Sequence, residues 1–374
     1  MGNRRFAEVG MAWSGLVTGV ALAGMPANAC SVAGFAAASP MLDRECPIER
    51  SMMVQSFDWH VGRGMAYVNA RGMIKTALAK DAMSKPAEWV ATLGSVSFSP
   101  TAREFIVGGV NEEGLAVAVM QSDPSTLYPD ATSSLPVITE LQWPQYILDT
   151  SASLKEAIEQ AKKVRVSPIF TALHYFICDS DGFCGAFEYV DGKLLVHGGD
   201  QLPAAAFTNS TYGQSIAALK AFETAPHPMP TDNSLLRFVR LSQTVRNYPT
   251  WGDPVDFGFY ALSTVHQDST RWNFVYDRIS SGCGGMNVAI NFRTSSVPVA
   301  KRLSLAGLDF DCRGKRVALD LDSARAGDVP LVDWVPYTDA LVKKLDAQNT
   351  DVDPKILAAA EGYAAAFTSC PIGP

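Results

Sequence analysis

Short runs of apolar residues, rich in β-branched and aromatic types and bounded by turn residues, recur along this chain and predict β-strands. The runs are Gly94–Ser99, Glu104–Val110, Leu115–Gln121, Leu173–Cys178, Gly185–Val190, Leu194–His197, Arg271–Tyr276 and Met286–Phe292. Asn111-Glu112-Glu113-Gly114 separates the second run from the third. This short polar segment, which ends in glycine, predicts that the two strands form a hairpin.

Apolar residues at helical spacing predict amphipathic helices between and after these strands. Val137–Asp149, Leu235–Val245 and Thr338–Ala347 have this spacing. Ser153-Leu154-Lys155-Glu156 is a capping box, which predicts a helix that begins there. Asp353-Pro354 combines an N-cap residue with a proline at the first helical position and predicts the start of a last helix.

This order of elements favours an α+β fold, because hairpins of strands with helices grouped between them form stacked sheets covered by helices. The sequence has no internal repeat, no low-complexity linker and no break in composition. We therefore expect one domain over residues 30–374, preceded by a segment of a different kind, residues 1–29.

Residues 1–29 have the three parts of a secretory signal peptide. Arg4 and Arg5 precede an apolar run from Met11 to Ala23, and Ala27-Asn28-Ala29 is a cleavage site of the A-x-A type. The apolar run is too short to span a bilayer comfortably, and no stop-transfer segment follows it. We expect cleavage after Ala29 and export across the inner membrane, to the periplasm or the exterior.

The composition is that of an ordinary globular protein, with 47% hydrophobic and 18% charged residues among 374. The formal net charge is −7, and removal of residues 1–29, with two arginines and one glutamate, makes it −8. A chain of this charge has no general electrostatic attraction for nucleic acid or an anionic membrane. Neither is expected as a partner, and no membrane span is expected in the mature chain.

Cleavage after Ala29 makes Cys30 the first residue of the mature protein. An N-terminal cysteine carries a thiol nucleophile and, in its α-amino group, a base with a pKa of about 8, so that one residue supplies both parts of a catalytic pair. Two other roles are open at this point, namely the acylated cysteine of a lipoprotein and one half of a disulfide. Ala27-Asn28-Ala29 lacks the leucine and small residue expected before a lipoprotein cysteine.

Six further cysteines follow: Cys46, Cys178, Cys184, Cys283, Cys312 and Cys370. An exported protein is expected to form disulfides, but the sequence does not resolve which cysteines pair. Cys178 and Cys184 flank a turn, Asp179–Phe183, and one pairing would join them across this hairpin. The turn begins like a calcium-binding loop but lacks the closing glutamate, so turn chemistry is the better interpretation.

Other common chemistries leave no signature in the chain. A G-x-S-x-G elbow, a P-loop and a dinucleotide-binding glycine motif are all missing from the sequence. The five histidines, His60, His174, His197, His227 and His266, are not at metal-binding spacing and are expected to be structural or on the surface. No metal and no cofactor are expected. A cysteine protease with a histidine base stays open, although no cysteine lies in a family signature.

Several short motifs behind the N-terminal cysteine resemble the choloylglycine hydrolase family, which contains penicillin V acylases and bile salt hydrolases and is part of the N-terminal nucleophile hydrolases. The matching pieces extend from Cys30 to about Thr294. They are Cys30-Ser31, Phe57-Asp58-Trp59, Gly109–Leu115, Leu173–Phe176, Phe187-Glu188, Asp191–Lys193, Thr208-Asn209-Ser210, Arg237–Arg240, Arg271-Trp272 and Val275–Asp277. Each piece is weak alone, and their order carries the resemblance.

The resemblance implies a four-layer αββα sandwich in which Cys30 begins a central strand and hydrolyses a linear amide. Asp58 stands at the position that would hold the terminal amine. Asn209 and the backbone N–H of Gln121 would stabilise the oxyanion. Arg237 matches the family's active-site arginine, whereas Arg240 is expected on the surface. The resemblance also suggests a homotetramer as the oligomeric state.

Gln55 departs from the family pattern, which usually has arginine three residues before the aspartate. A neutral amide stabilises a neighbouring thiolate less than a guanidinium does. We therefore expect a raised thiol pKa unless another cation fills the place, and Arg50 and Arg63 are the nearby candidates.

The substrate is expected to be a small N-acyl amide, and its identity is open. Penicillin V and N-acyl homoserine lactones are favoured over conjugated bile salts. Phe57, Trp59, Met120 and Trp143 would suit an aromatic or aliphatic acyl group. A rival hypothesis is an exported lipoprotein or binding protein that has the fold without catalysis.

Overall fold

The computed structural model describes residues 30–37, 48–79, 84–101, 103–122, 126, 128–129, 134–224, 229–249, 252–281, 283–349, 352, 357–358 and 368–370. The strands are β1 (Ser31–Ala37), β2 (Ile48–Asp58), β3 (Met65–Asn69), β4 (Ile74–Thr76), β5 (Glu88–Val90), β6 (Ser95–Ser99), β7 (Gly108–Asn111), β8 (Ala116–Gln121), β9 (Val137–Ile138), β10 (Arg165–Val166), β11 (Leu173–Cys178), β12 (Cys184–Val190), β13 (Lys193–Gly198), β14 (Ala206–Phe207), β15 (Thr270–Ser281), β16 (Met286–Thr294), β17 (Lys301–Ser304), β18 (Val317–Asp320), β19 (Gly327–Asp328), β20 (Val335–Pro336) and β21 (Thr368–Ser369). The helices are α1 (Trp143–Thr150), α2 (Leu154–Ala161), α3 (Tyr212–Thr224), α4 (Asn233–Arg246), α5 (Pro254–Ser263) and α6 (Asp339–Gln348).

Two large sheets form the centre of the molecule. One has the strand order β14-β1-β2-β15-β16-β17-β19, and the other has the order β13-β12-β11-β8-β7-β6-β3-β18-β20. Aromatic side chains from the two sheets meet in the interior, where the rings of Phe98 and Phe274 stack with their centroids 4.1 Å apart. This interface between the sheets buries most of the largest apolar cluster.

Helices cover the outer face of each sheet. Helices α4 and α5 pack on β1, β2 and β15, and α3 packs on α4. Helix α1 packs on β7 and β8 and carries α2 beside it, where a second apolar cluster is buried. The predicted α+β class is therefore confirmed, and the layers follow the αββα order. None of the helices in the described ranges is long and apolar enough to cross a membrane.

Most of the predicted elements are present with small shifts at their ends. The hairpin after residue 110 is formed by β7 and β8, and the helix predicted from Ser153 is α2, whose Ser153 Oγ accepts from Glu156 N. The helix predicted over Thr338–Ala347 is α6. The signal peptide of residues 1–29 and the helix predicted from Asp353-Pro354 lie outside the described residues.

Two predicted elements are wrong at one end. The helix predicted to begin at Val137 begins at Trp143, because Val137 and Ile138 pair in parallel with β10 and Pro144 occupies the first turn of α1. The strand predicted from Glu104 begins at Gly108. Phe105 and Ile106, which precede this strand, are fully buried. The apolar pattern at these positions therefore reflects burial in a loop rather than a strand.

The strand that follows Cys30 is adjacent to the edge of its sheet. Strand β1 lies between the long strand β2 and the two-residue strand β14, so the expectation of a central strand is corrected. The centre is occupied by β2, β15 and β16, which are longer and pair over most of their length.

A disulfide in the opposite sheet packs directly against β1. Cys178 and Cys184 are bonded across the β11–β12 hairpin, the pairing that the sequence left open. Both sulfur atoms lie against Gly34 of β1, where a Cβ would be 2.5 Å from Cys184 Sγ. Glycine is required at this position because any side chain would collide with the disulfide. Among the described cysteines, Cys30 alone has a free thiol.

Four charged side chains form a buried cluster under the loop before β7. Lys75 Nζ lies 3.1 Å from Glu104 Oε2 and 2.9 Å from Asp149 Oδ2, and Arg103 Nε lies 3.1 Å from Glu104 Oε1. Burial raises the pKa of Glu104, but Lys75 and Arg103 outweigh it and hold that pKa below its ordinary value. The cluster therefore pairs two basic side chains with two acidic ones, and all four are buried.

Lys75→Met is expected to lower the free energy of unfolding by about 3–5 kcal/mol, because two carboxylates would lose their shared buried cation. Urea denaturation at neutral pH measures the change. Lys155→Met, at an exposed position of α2, is the matched control and is expected to change stability by less than about 0.5 kcal/mol. Equal stability of the two variants would contradict the role given to Lys75.

Candidate active site

The register of β1 against β2 brings Cys30 to Asp58. Ser31 pairs with Ser56, so the residue before β1 lies beside the last residue of β2. Asp58 N lies 3.5 Å from Cys30 Sγ and donates to it, and both residues are buried. Two residues 28 positions apart in the chain are thus in direct contact.

The carboxylate of Asp58 is held by polar side chains from two strands and a loop. Ser56 Oγ and Gln267 Nε2 donate to Asp58 Oδ2 at 3.1 and 3.2 Å, and Ser56 Oγ also accepts from the backbone N–H of Ser31. Asp58 Oδ1 is buried and has no hydrogen-bond partner among the described residues. Burial raises the pKa of Asp58, and Thr270, Arg237, Ser56 and Gln267 oppose this shift.

Arg237 connects helix α4 to the start of β1 and to Asn209. Its Nη1 donates to Cys30 O at 2.7 Å and to Ser31 Oγ at 2.6 Å, and its Nη2 donates to Asn209 Oδ1 at 2.7 Å. The side chain is almost fully buried, and this burial lowers the pKa of Arg237 while the charge of Asp58 raises it. Arg240, one turn later on the same helix, is exposed as the sequence predicts.

Asn209 lies between Arg237 and the end of β8. Its Nδ2 donates to Gln121 O at 2.7 Å, and its backbone N–H donates to Ser234 Oγ at 3.0 Å. Because Oδ1 accepts from Arg237, the amide group has one orientation, with the nitrogen towards Gln121. The carbonyl of Gln121 is the group that Asn209 contacts, and the oxyanion role of the Gln121 backbone N–H stays a prediction.

The thiol of Cys30 is poorly ionised in this environment. Burial, reinforced by the charge of Asp58, raises its pKa to about 12, although the charge of Arg237 and a backbone hydrogen bond from Asp58 oppose the shift. This raised pKa belongs to the uncleaved protein, in which the nitrogen of Cys30 is part of the peptide bond to Ala29.

Gln55 is fully buried between the two sheets. Its Nε2 donates to Val107 O at 2.8 Å, and its Oε1 accepts from Tyr276 Oη at 2.9 Å. Of the two arginines expected as replacements, Arg50 is paired with Asp277 and Arg63 with Asp322. The cation that bonds to Cys30 is instead Arg237, through the carbonyl oxygen of Cys30. The sequence predicts Arg237 in the site because it matches the family's active-site arginine.

A cavity of about 160 Å³ opens beside the thiol. Its wall is largely apolar, with Thr101, Gln121 and Thr171 as polar members beside Cys30. The apolar members are Phe57, Trp59, Pro100, Phe105, Val107, Val119, Leu141, Phe170 and Leu173. Phe57 and Trp59 thus line the cavity as expected, whereas Met120 and Trp143 are buried in the hydrophobic core.

Glu140 holds one wall of this cavity through the protein backbone. Its two carboxylate oxygens accept from the backbone N–H groups of Ile169, Phe170 and Thr171 at 2.8–3.0 Å. Burial raises the pKa of Glu140, and these three hydrogen bonds oppose the shift. Two of the three residues line the cavity, and so does Leu141, the next residue after Glu140.

Sequence reasoning missed several residues of the site. Ser56, Ser234, Gln267 and Glu140 orient the groups that bear the chemistry or shape the cavity. Ser56 could have been found, because it is two residues before Asp58 and alternate residues share one face of a strand. The others come from distant segments with no motif.

Comparison with known proteins places the chain among amide hydrolases. The sequence profile described as linear amide C-N hydrolases, choloylglycine hydrolase family, matches residues 56–255. Penicillin V acylase from Pectobacterium atrosepticum is 31% identical over 180 residues, which are 43% of this chain and 47% of that protein. The match thus spans about half the length of this curated relative.

Solved structures show the same fold. The penicillin V acylase from Agrobacterium tumefaciens superposes with a TM-score of 0.65 at 23% identity, over 83% of this chain and 98% of that one. The conjugated bile acid hydrolase from Clostridium perfringens superposes with a TM-score of 0.57 at 16% identity, over 81% and 99% of the two chains. The family profile covers more than half of the sequence, and so this chain belongs to the choloylglycine hydrolase family of linear amide C–N hydrolases.

Proposed function

We propose that this protein hydrolyses the amide bond of a small N-acylated molecule, with Cys30 as the nucleophile. The observation that carries the proposal is a buried free thiol at the polar end of an apolar cavity, where Asp58 N–H donates to the sulfur and Arg237 donates to the carbonyl oxygen of the same cysteine. An apolar cavity binds the acyl group, and the polar end places the scissile carbonyl at the sulfur.

Cleavage after Ala29 would generate the active form, because it gives Cys30 a free α-amino group. The amine takes the proton of the thiol, and the sulfur attacks the carbonyl carbon to form a tetrahedral intermediate. The amine then gives this proton to the leaving nitrogen as the C–N bond breaks. Water hydrolyses the resulting thioester with the same amine as base, which releases the acid and restores the thiol.

The neighbouring side chains have separate roles in this scheme. Asp58 would hold the α-amino group, which in its charged form supplies a partner for a carboxylate whose Oδ1 has no hydrogen bond among the described residues. Asn209 Nδ2 and the backbone N–H of Gln121 would donate to the oxyanion, with Arg237 fixing the amide orientation of Asn209. Arg237 would also stabilise the thiolate by its charge.

An aromatic acyl group is the substrate feature we favour. Phe57, Trp59, Phe105 and Phe170 line the cavity, and aromatic rings pack well on such surfaces. Two relatives described above are named penicillin V acylases, so a penicillin V-like substrate comes first, then an N-acyl homoserine lactone and then a conjugated bile salt. We also propose that the enzyme is exported, with residues 1–29 as its signal peptide.

The mass of the mature N-terminus separates this function from the lipoprotein hypothesis. A free Cys30 at the N-terminus supports the hydrolase. A cysteine that carries a diacylglyceryl group would exclude it, since the sulfur would be blocked.

Protein that retains residues before Cys30 is expected to be inactive and poorly reactive. A thiol with a pKa near 12 holds almost no thiolate at neutral pH, so its alkylation by iodoacetamide should be slow at pH 7 and rise with pH throughout the alkaline range. Cleaved protein should react faster at pH 7, because a neighbouring ammonium group stabilises the thiolate. Mass spectrometry reports both the cleavage and the alkylation.

Cleaved Cys30→Ala is the control for that experiment, and it should fold normally, resist alkylation and hydrolyse no amide. Turnover by this variant, or by protein shown to be uncleaved, would remove Cys30 from its role.

Arg237→Gln is expected to lower kcat/KM by about 100-fold, because it removes a buried charge from Cys30 and frees the amide of Asn209 to rotate. Arg240→Gln is the matched control on the same helix and should retain wild-type kcat/KM. The thiol pKa from the alkylation profile should rise only in Arg237→Gln. Similar kinetics of the two variants would refute the assignment.

Glu140→Gln is expected to weaken binding of aromatic acyl groups, with KM raised about fivefold and a smaller change in kcat. An amide has one acceptor oxygen where the carboxylate has two, so a backbone N–H of the cavity wall loses its partner. Glu156→Gln, on the exposed side of α2, is the control. KM values for phenoxyacetyl and acetyl amides of one amine test this, and a folded variant with an unchanged ratio would contradict it.

A further inference from the structure

A second cavity, of about 220 Å³, lies next to the active-site cavity. Trp59 lines the first cavity and His60 lines the second, and their rings are in contact with centroids 4.6 Å apart. Pro100 of the first cavity accepts a hydrogen bond from Asn349 of the second. The two cavities therefore border each other at these residues.

Two arginines line the second cavity, and among the described residues a carboxylate partner is found for Arg63 and not for Arg271. Arg63 Nη1 lies 3.5 Å from Asp322 Oδ2, and Ser296 donates to the other oxygen of Asp322. Arg271 has no carboxylate within 4.0 Å among the described residues, and its Nε is buried without a hydrogen-bond partner there. Its Nη1 donates a long hydrogen bond, of 3.4 Å, to Asp268 O.

A β-bulge fixes Arg271 relative to the nucleophile. Thr270 pairs with Asp58 and Trp272 pairs with Phe57, and the register shifts between these two pairs. Arg271 is the extra residue of the bulge, which has no partner on β2 and reaches the second cavity. The ring of Trp272 stacks on Phe57 in the wall of the first cavity, with centroids 4.6 Å apart. The guanidinium is thus carried by the strand that borders the catalytic pair.

A partly buried guanidinium with unused donors favours an anion that can accept two hydrogen bonds. Asp322 neutralises Arg63, so the charge of Arg271 is the one left for a ligand. If the acyl group occupies the apolar cavity, the amine half of the bound substrate extends from Cys30 in another direction. The second cavity is the neighbouring space with a matching charge.

We propose that this cavity binds a carboxylate carried by the amine half of the substrate, with Arg271 as its principal partner. The inference rests on the proposed hydrolase function and narrows its substrate class. It favours N-acyl amines with a carboxylate near the amide nitrogen, such as penicillins, over neutral N-acyl homoserine lactones.

The test compares penicillin V with its methyl ester, which has the same acyl group and amide but no carboxylate. Wild type should hydrolyse the acid with the lower KM. In Arg271→Gln the ratio of kcat/KM for acid to ester should fall about tenfold, mainly through KM. Arg240→Gln, which replaces an exposed arginine of α4, should keep the wild-type ratio. An unchanged ratio in Arg271→Gln, or an equal loss on both substrates, overturns the proposal.

A binding measurement keeps the two proposals distinguishable. Cleaved Cys30→Ala should bind penicillin V more tightly than the methyl ester by calorimetry, and Cys30→Ala with Arg271→Gln should lose this difference. If wild type cleaves neither compound while the binding difference depends on Arg271, the hydrolase proposal fails for this substrate and the carboxylate site stands. Equal binding of acid and ester by Cys30→Ala excludes the site.

Discussion

The antiparallel register between β1 and β2 is the constraint on which the site depends. Pairing Ser31 with Ser56 places Cys30 against Asp58, and a slip by one residue would turn every side chain of β1 to the opposite face. Gly34 makes such a slip costly, because the Cys178–Cys184 disulfide occupies the space where any other side chain at that position would be. Ser56 Oγ then connects the ends of the two strands by accepting from the backbone N–H of Ser31, and Arg237 holds Ser31 Oγ from helix α4.

Burial and charge oppose each other at the nucleophile. Removing Cys30 and Asp58 from water favours their neutral forms, and Arg237 is the buried cation that acts in the other direction. A buried arginine is stable here because its donors are used by Cys30 O, Ser31 Oγ and Asn209 Oδ1. The same three hydrogen bonds that satisfy the guanidinium also orient the groups proposed for catalysis.

The walls of the active-site cavity come from loops that are held by buried carboxylates. Glu104 is bound by Lys75 and Arg103 and is followed by Phe105 and Val107. Glu140 binds three successive N–H groups of the segment that contributes Phe170 and Thr171. In each case one charged group without solvent contact fixes a segment that has no regular hydrogen-bond ladder of its own. Such loops can differ in sequence without altering the sheets beneath them, which allows one fold to serve several acyl groups.

Local patterns in the sequence predicted the strands β6–β8, β11–β13, β15 and β16 and most of the described helices, and the family resemblance indicated the residues proposed for catalysis. Short apolar runs predicted β8, β11 and β12, the capping box predicted α2, and the order of short motifs behind Cys30 indicated Asp58, Asn209 and Arg237. These signals depend on neighbours a few residues apart, so one sequence is sufficient to detect them.

Tertiary structure alone decided that Arg237, rather than Arg50 or Arg63, faces Cys30, and that Gln55 bonds to Val107 and Tyr276. It also decided that Phe105 and Ile106 are buried in a loop and that Glu140 and Arg271 border the cavities. Those outcomes depend on contacts between segments far apart in the chain, where the position of a charge is set by the strand register and the packing of the sheets, which no local pattern records.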